Sequence, residues 1–127
     1  MIVCDAGTVV ASLLRDGPAR DILAAEQIQA PHLIDSEVSH VLRARVLHRG
    51  MDPGEGWRLL DLYRWMAITR HGVFAMFDRI WELRENVSAY DAAYVALAEA
   101  IECPLVTADA RLSRAPGIRC AVTVVPG

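Results

Sequence analysis

Four acids in this chain stand where carboxylates could do chemistry. Asp5 closes the apolar run Met1-Ile2-Val3-Cys4, Glu37 lies beside an apolar helical stripe, Asp91 opens an alanine-rich segment, and Asp109 follows Leu105-Val106-Thr107. Taken singly, each has an ordinary role. Asp5 and Asp109 suit helix caps, because a carboxylate accepts from free N–H groups and complements the positive helix terminus. Ser88 and Asp91 form the S-x-x-D pattern of a capping box, and Asp35 could serve the start of its own helix. Glu37 is costly to bury unpaired, so its ordinary role is an ion pair, with Arg45 or another arginine. Caps do not need to converge on one rim, whereas these acids are expected to. Two like charges about 4 Å apart repel by roughly 4 kcal/mol at an effective dielectric near 20, so a carboxylate cluster needs a cation or shifted pKa values. An oxygen-only donor set suits Mg²⁺ or Mn²⁺. The histidines, His32, His40, His48 and His71, offer a competing metal-free general base. Of these, His40 lies one helical turn from Glu37, but no paired histidine motif accompanies it and a supporting role is expected.

The elements that must position these acids can be read along the chain. Met1–Cys4 reads as a strand, and Thr8 to Leu14 as the helix after it. Asp16-Gly17-Pro18 breaks that helix and opens another through Ile22 and Leu23, leading to a short strand near residues 27–30. Leu33, Ile34, Val38, Val41, Leu42 and Val46 recur at helical spacing until Gly50, with Glu37 on the inward stripe. Asp52-Pro53-Gly54 begins a helix carrying Trp57, Leu60, Leu62, Tyr63 and Trp65, and a further helix carries Phe74, Phe77, Ile80, Trp81 and Leu83. Aromatic stripes at this spacing are expected to be core, with a partner groove as the other reading. The segment Ala92–Glu102 reads as helix and Pro104 stops it. Leu105–Thr107 then reads as a strand and Ile118–Val125 as a last one. Strands separated by helices imply an α/β fold, a parallel sheet in a three-layer α/β/α sandwich, with ligands at the carboxyl edge of the strands where Asp5 and Asp109 fall.

Composition narrows the function classes. The chain has 127 residues and 54% hydrophobic content, so one domain over 1–127 is expected. No apolar stretch reaches the roughly 20 residues of a membrane span, and the early acid argues against a signal peptide, so a cytoplasmic protein is expected. Cys4, Cys103 and Cys120 are odd in number, form no CxxC pair, and read as buried reduced thiols. The net charge of −3 disfavours a sequence-blind electrostatic coat on nucleic acid, so a polyanion must find a local basic patch. All 13 basic residues are arginine, whose fork suits phosphate contacts, although an arginine-biased genome is the better explanation of the two. A phospho-acceptor receiver domain would want a lysine near its last strand, and there is none. A dinucleotide site would want G-x-G-x-x-G after the first strand, which is also missing.

Met1-Ile2-Val3-Cys4-Asp5, Ser36-Glu37-Val38, Tyr90-Asp91-Ala92-Ala93-Tyr94-Val95-Ala96-Leu97-Ala98 and Leu105-Val106-Thr107-Ala108-Asp109 together resemble the PIN-domain nucleases, especially the VapC-like toxins of bacterial toxin–antitoxin pairs. The resemblance spans nearly the whole chain. It implies a PIN-like fold and a Mg²⁺- or Mn²⁺-dependent endoribonuclease with Asp5, Glu37, Asp91 and Asp109 as its catalytic and metal-binding acids. It also implies Thr107 as a supporting hydroxyl, a cognate VapB-like antitoxin, an RNA substrate and a homodimer. Asp35 does not match the motif. Gly7 departs from it where relatives often carry serine, which leaves Thr8 to supply a hydroxyl. Arg15, Arg45, Arg84 and Arg111 are candidates for the RNA backbone, and Trp57, Tyr63 and Trp65 for an antitoxin groove. The alternative function is a non-catalytic binding module whose acidic pocket captures an arginine-bearing protein.

Overall fold

The computed structural model describes residues 1–127. In chain order its elements are β1 (Ile2–Cys4), α1 (Ala6–Leu14), α2 (Pro18–Ala25), β2 (Ile28–Pro31), α3 (Ile34–His48), α4 (Pro53–Arg64), β3 (Ile68–His71), α5 (Phe77–Glu82), α6 (Ala89–Ala100), β4 (Leu105–Thr107) and β5 (Val122–Val124). The strands form one sheet ordered β3-β2-β1-β4-β5, and every pair is parallel. Helices α1 to α4 pack with one another, as α5 does with α6. Right-handed crossovers place these two groups on opposite faces of the sheet, giving the expected three layers. Val3, Cys4, Ala30, Leu105 and Val106 are buried in the central strands, and Val9, Val10, Ile34, Val38, Val95 and Leu97 close over them from the helices. No helix is long and apolar enough to cross a membrane.

The sheet's middle matches the sequence reading, and its margins depart from it. β2 is displaced by one residue from 27–30, and β5 keeps only Val122–Val124 of the expected Ile118–Val125. Strand β3 was not expected at all. Its sequence, Ile-Thr-Arg-His, carries little apolar signal because an edge strand buries little. α6 begins earlier than expected, at Ala89, and ends at Ala100, before Pro104. Glu102 then takes a left-handed φ of 55° that turns the chain into β4. Gly50 behaves as anticipated, adopting φ 71° just after α3.

The aromatic stripes correct a larger expectation. Tyr63 is buried, but Trp57, Trp65, Phe74, Phe77 and Trp81 are 58%, 78%, 83%, 56% and 67% exposed, so they are surface and not core. Helical spacing placed them on one side of each helix; it did not say that the chain itself covers that side. The three cysteines are free thiols, and Cys120 is only partly buried.

Candidate functional site

The site begins with strand register. Parallel pairing sets Cys4 beside Val106, so the next residues, Asp5 and Thr107, emerge together at the carboxyl edge of the sheet. The Thr107 hydroxyl, fully buried, donates to Asp5 Oδ2. Thr8, in the first turn of α1, donates to Asp5 Oδ1 from both its backbone N–H at 2.9 Å and its hydroxyl at 2.7 Å. Asp5 is therefore the N-cap of α1 and also a carboxylate held in place by two hydroxyls. The Thr8 hydroxyl supplies the support missing at Gly7, where a Cβ would come within 3.3 Å of the Ala108 Cβ. The same Thr107 oxygen accepts the Asp109 N–H at 2.9 Å, linking the two strand-end acids through one side chain. Asp109 caps the short 3-10 turn Ala110–Arg114 and is gripped by the guanidinium of Arg111 at 2.8 Å. That guanidinium holds the Asp109 carboxyl below its ordinary range.

Two more carboxylates arrive from helices. Glu37 sits in the first turn of α3, half-buried, and Oε1 accepts from the Tyr94 hydroxyl at 2.7 Å. Asp91 sits in the first turn of α6, where its backbone N–H donates to Ser88 Oγ at 3.1 Å. Ser88 caps the helix, which leaves the Asp91 carboxylate uncommitted to that cap. Burial lifts the Glu37 carboxyl above its usual range, the Tyr94 hydrogen bond opposes it, and the charges of Asp91 and Asp5 lift it further. Burial likewise raises Asp91, with the Asp109 and Asp5 charges adding, while Ser88 and Arg111 pull the other way. This mutual influence puts all four predicted acids in one electrostatic neighbourhood. Asp91, Asp109, Ser88 and Arg111 also line one cleft of about 370 Å³. A larger cleft, about 540 Å³, lies at the opposite edge of the sheet beside Cys103 and Cys120, where Glu99 is already held by Arg79 at 2.6 Å.

The donor set can be tested against a metal ion. As the side chains lie, no three histidine, cysteine or acidic groups close on one point as ligands. The chemistry nevertheless fits a hard cation that keeps part of its water, because the donors are all carboxylate oxygens and two of them are raised by burial, with neighbouring negative charge adding to it. No thiol or imidazole joins them.

Other candidates fall elsewhere. Asp35 caps nothing: it binds Arg70 at 2.8 Å and accepts from the Tyr63 hydroxyl at 2.7 Å, tying α3 to β3 and α4. Arg70 holds its carboxyl below the usual range. Glu37 pairs with Tyr94, not with Arg45 or any other arginine. His40 is exposed in a shallow surface formed with Asp35, Ser36, Ser39 and Arg43, which includes none of the four candidate acids. Arg15 bonds the Gly127 carbonyl, and Arg84 lies 4.8 Å over the Trp81 ring. Of the four candidate arginines, Arg111 touches the acidic site. Tyr94 was missed by the sequence reading, although its position one turn beyond Asp91 was a usable signal.

The PIN domain family matches residues 2–118. The chain is 51% identical over 126 residues to the VapC ribonuclease Mb0985 of Mycobacterium bovis and to ribonuclease VapC9 of Mycobacterium tuberculosis, covering 99% of this chain and of each relative. Among solved structures, PAE2754 from Pyrobaculum aerophilum superposes with a TM-score of 0.68 at 21% identity, covering 89% of this chain and 84% of that one. Mycobacterium tuberculosis VapC20, described as a Sarcin-Ricin loop cleaving toxin, gives 0.63 at 17% identity, covering 94% and 97%. With this sheet order and this set of acids, the chain belongs to the PIN-domain family, among its VapC-like members.

Proposed function

We propose that the protein is a divalent-metal-dependent endoribonuclease that hydrolyses RNA phosphodiester bonds in the cytoplasm as the toxin of a VapBC-like toxin–antitoxin pair. The observation that carries this reading is the meeting of Asp5, Glu37, Asp91 and Asp109 at one rim, from two strands and two helices on opposite faces of the sheet. The names of the 51%-identical relatives as ribonucleases support the substrate class. Asp5, Glu37 and Asp91 would hold Mg²⁺ or Mn²⁺, with Asp109 acting directly or through water. When bound, such an ion lowers the pKa of water and offsets charge on the phosphodiester. Thr8 and Thr107 keep the Asp5 oxygens turned to the rim. Arg111, beside Asp109, is placed to meet the RNA backbone at the edge of four negative side chains.

The partners proposed with this activity are a VapB-like antitoxin and a second copy of the chain. A groove of about 350 Å³ between α3 and α4, lined by Leu42, Val46, Leu47, Trp57 and Leu60, is of the kind that takes an apolar peptide face. The exposed aromatics around α5 offer a second apolar surface. The decisive experiment is RNA cleavage by Asp91→Asn with Mn²⁺ or Mg²⁺ present, alongside a fold check. Loss of cleavage in the variant, and in the native chain under chelator, is expected. Unchanged cleavage in both would reject the metal-dependent assignment, and a native chain that never cleaves RNA would leave the arginine-capturing module as the better reading.

A further inference from the structure

One residue joining the two halves of the acidic rim is itself not acidic. Tyr94 lies one turn beyond Asp91 on α6, is 1% exposed, and donates its hydroxyl to Glu37 Oε1 at 2.7 Å. This is the only side-chain hydrogen bond between α3 and α6, which approach the rim from opposite faces of the sheet. Glu37 Oε2 accepts no hydrogen bond, and no arginine reaches either oxygen. A glutamate on a half-buried helix turn has three side-chain torsions to settle, and an unanchored carboxylate is dispersed among rotamers. We infer that Tyr94 is the positioning residue for Glu37, its phenol fixing the carboxylate through Oε1 while Oε2 stays turned to the rim for a divalent cation. This rests on the metal-dependent reading above. It gives α6 two tasks one turn apart: Asp91 supplies a donor oxygen, and Tyr94 orients a donor from the opposite layer.

The test is Mn²⁺ affinity of the RNA-free protein, read from the paramagnetic resonance of free Mn²⁺, for the native chain, Tyr94→Phe, Glu37→Gln and the double variant. Phenylalanine keeps the buried ring and removes only the hydroxyl, and thermal unfolding checks the fold. Tyr94→Phe is expected to weaken Mn²⁺ on the order of tenfold, the scale of one hydrogen bond to a charged group. The double variant should bind no more weakly than Glu37→Gln, because Tyr94 acts through Glu37. RNA cleavage should lose kcat with KM nearly unchanged. Native affinity in Tyr94→Phe, or losses that multiply in the double variant, overturns the inference while leaving the metal reading intact. A Tyr94→Phe chain that does not fold overturns it too, by assigning the hydroxyl to stability. If the native chain binds no Mn²⁺, the metal reading falls first and this inference with it.

Discussion

Replacing Thr107 by valine isolates what one buried hydroxyl does for the site. The side chain is fully buried, and valine matches its shape while removing the oxygen that donates to Asp5 Oδ2 and accepts the Asp109 N–H at 2.9 Å. A hydrogen bond to a charged group contributes about 1.5–3 kcal/mol and a neutral one about 1. Asp5 is only half-buried, so water recovers part of the first, and a net loss of roughly 2–3 kcal/mol is expected. With about 2.1 cal/mol/K of unfolding entropy per residue over 127 residues, that lowers Tm by roughly 7–11 °C. Thr107→Ser provides the control. It keeps both hydrogen bonds and gives up one methyl group, at about 1 kcal/mol or roughly 4 °C. Calorimetric unfolding of the three proteins in chelator measures both differences without metal linkage. A valine variant that melts no lower than the serine variant would show that the hydroxyl does not hold the two strand-end acids together, and the reasoning that builds the site from Thr107 would fail.

Two further outcomes separate the acids from one another. Asp91→Asn, measured in chelator, should unfold at a modestly higher temperature than the native chain at pH 7. The folded-state pKa of Asp91 is raised by burial and by the Asp109 and Asp5 charges, so its ionised form disfavours the fold. For such a group the stabilising contribution is present in full below its unfolded pKa, near about 3.9, and is lost as pH rises through the folded value. The advantage of asparagine should therefore shrink as pH falls into that range, and a constant advantage from pH 7 to 3 would contradict the coupling. Asp35→Asn should behave in the reverse sense. It loses the Arg70 pair and weakens the Tyr63 contact, costing about 1–2 kcal/mol after allowance for exposure, yet Mn²⁺ affinity should stay within about twofold of native. A large loss of Mn²⁺ binding in this variant would move Asp35 into the site.

What the sequence reveals depends on which force decides each position. β1 and β4 are legible because buried parallel strands are continuous apolar runs, and their ends announce Asp5 and Asp109. β3 is illegible because a partly exposed edge strand can be as polar as Ile-Thr-Arg-His and still pair through its backbone with β2. Glu37 could be separated from Asp35 by helical phase, but its partner could not be named, since Tyr94 is 57 residues away and reaches it across the sheet edge. Charge complementarity pointed to an arginine, whereas the fold supplies a neutral donor. The exposed Trp57, Trp65, Phe74, Phe77 and Trp81 fail for another reason. Periodicity reports that a face is apolar, and the protein's own layers decide whether anything covers it.

The four acids also do not form a uniform cluster, and the division between them bears on how the rim could work. Asp5 and Asp109 are met by donors from their own chain: two threonine hydroxyls for the first, a guanidinium for the second. Asp5 directly follows a strand whose register fixes it, and both acids have their oxygens oriented before any ligand arrives, but only Asp109 has a cation beside it. Glu37 and Asp91 come from helices in different layers, and burial plus neighbouring negative charge raises both. No arginine reaches Glu37, and the Asp5 charge bears on both helical acids. On the proposed reading, a divalent cation would relieve the repulsion that Glu37 and Asp91 feel from the neighbouring acids, while Asp5 would supply a pre-oriented oxygen. Arg111 then has a choice of partners. Asp109 satisfies its guanidinium in the free protein, and its side chain, 84% exposed, is able to turn towards a phosphodiester once one is present. That exchange would leave Asp109 unpaired beside Asp91, adding negative charge to the acids that would hold a cation.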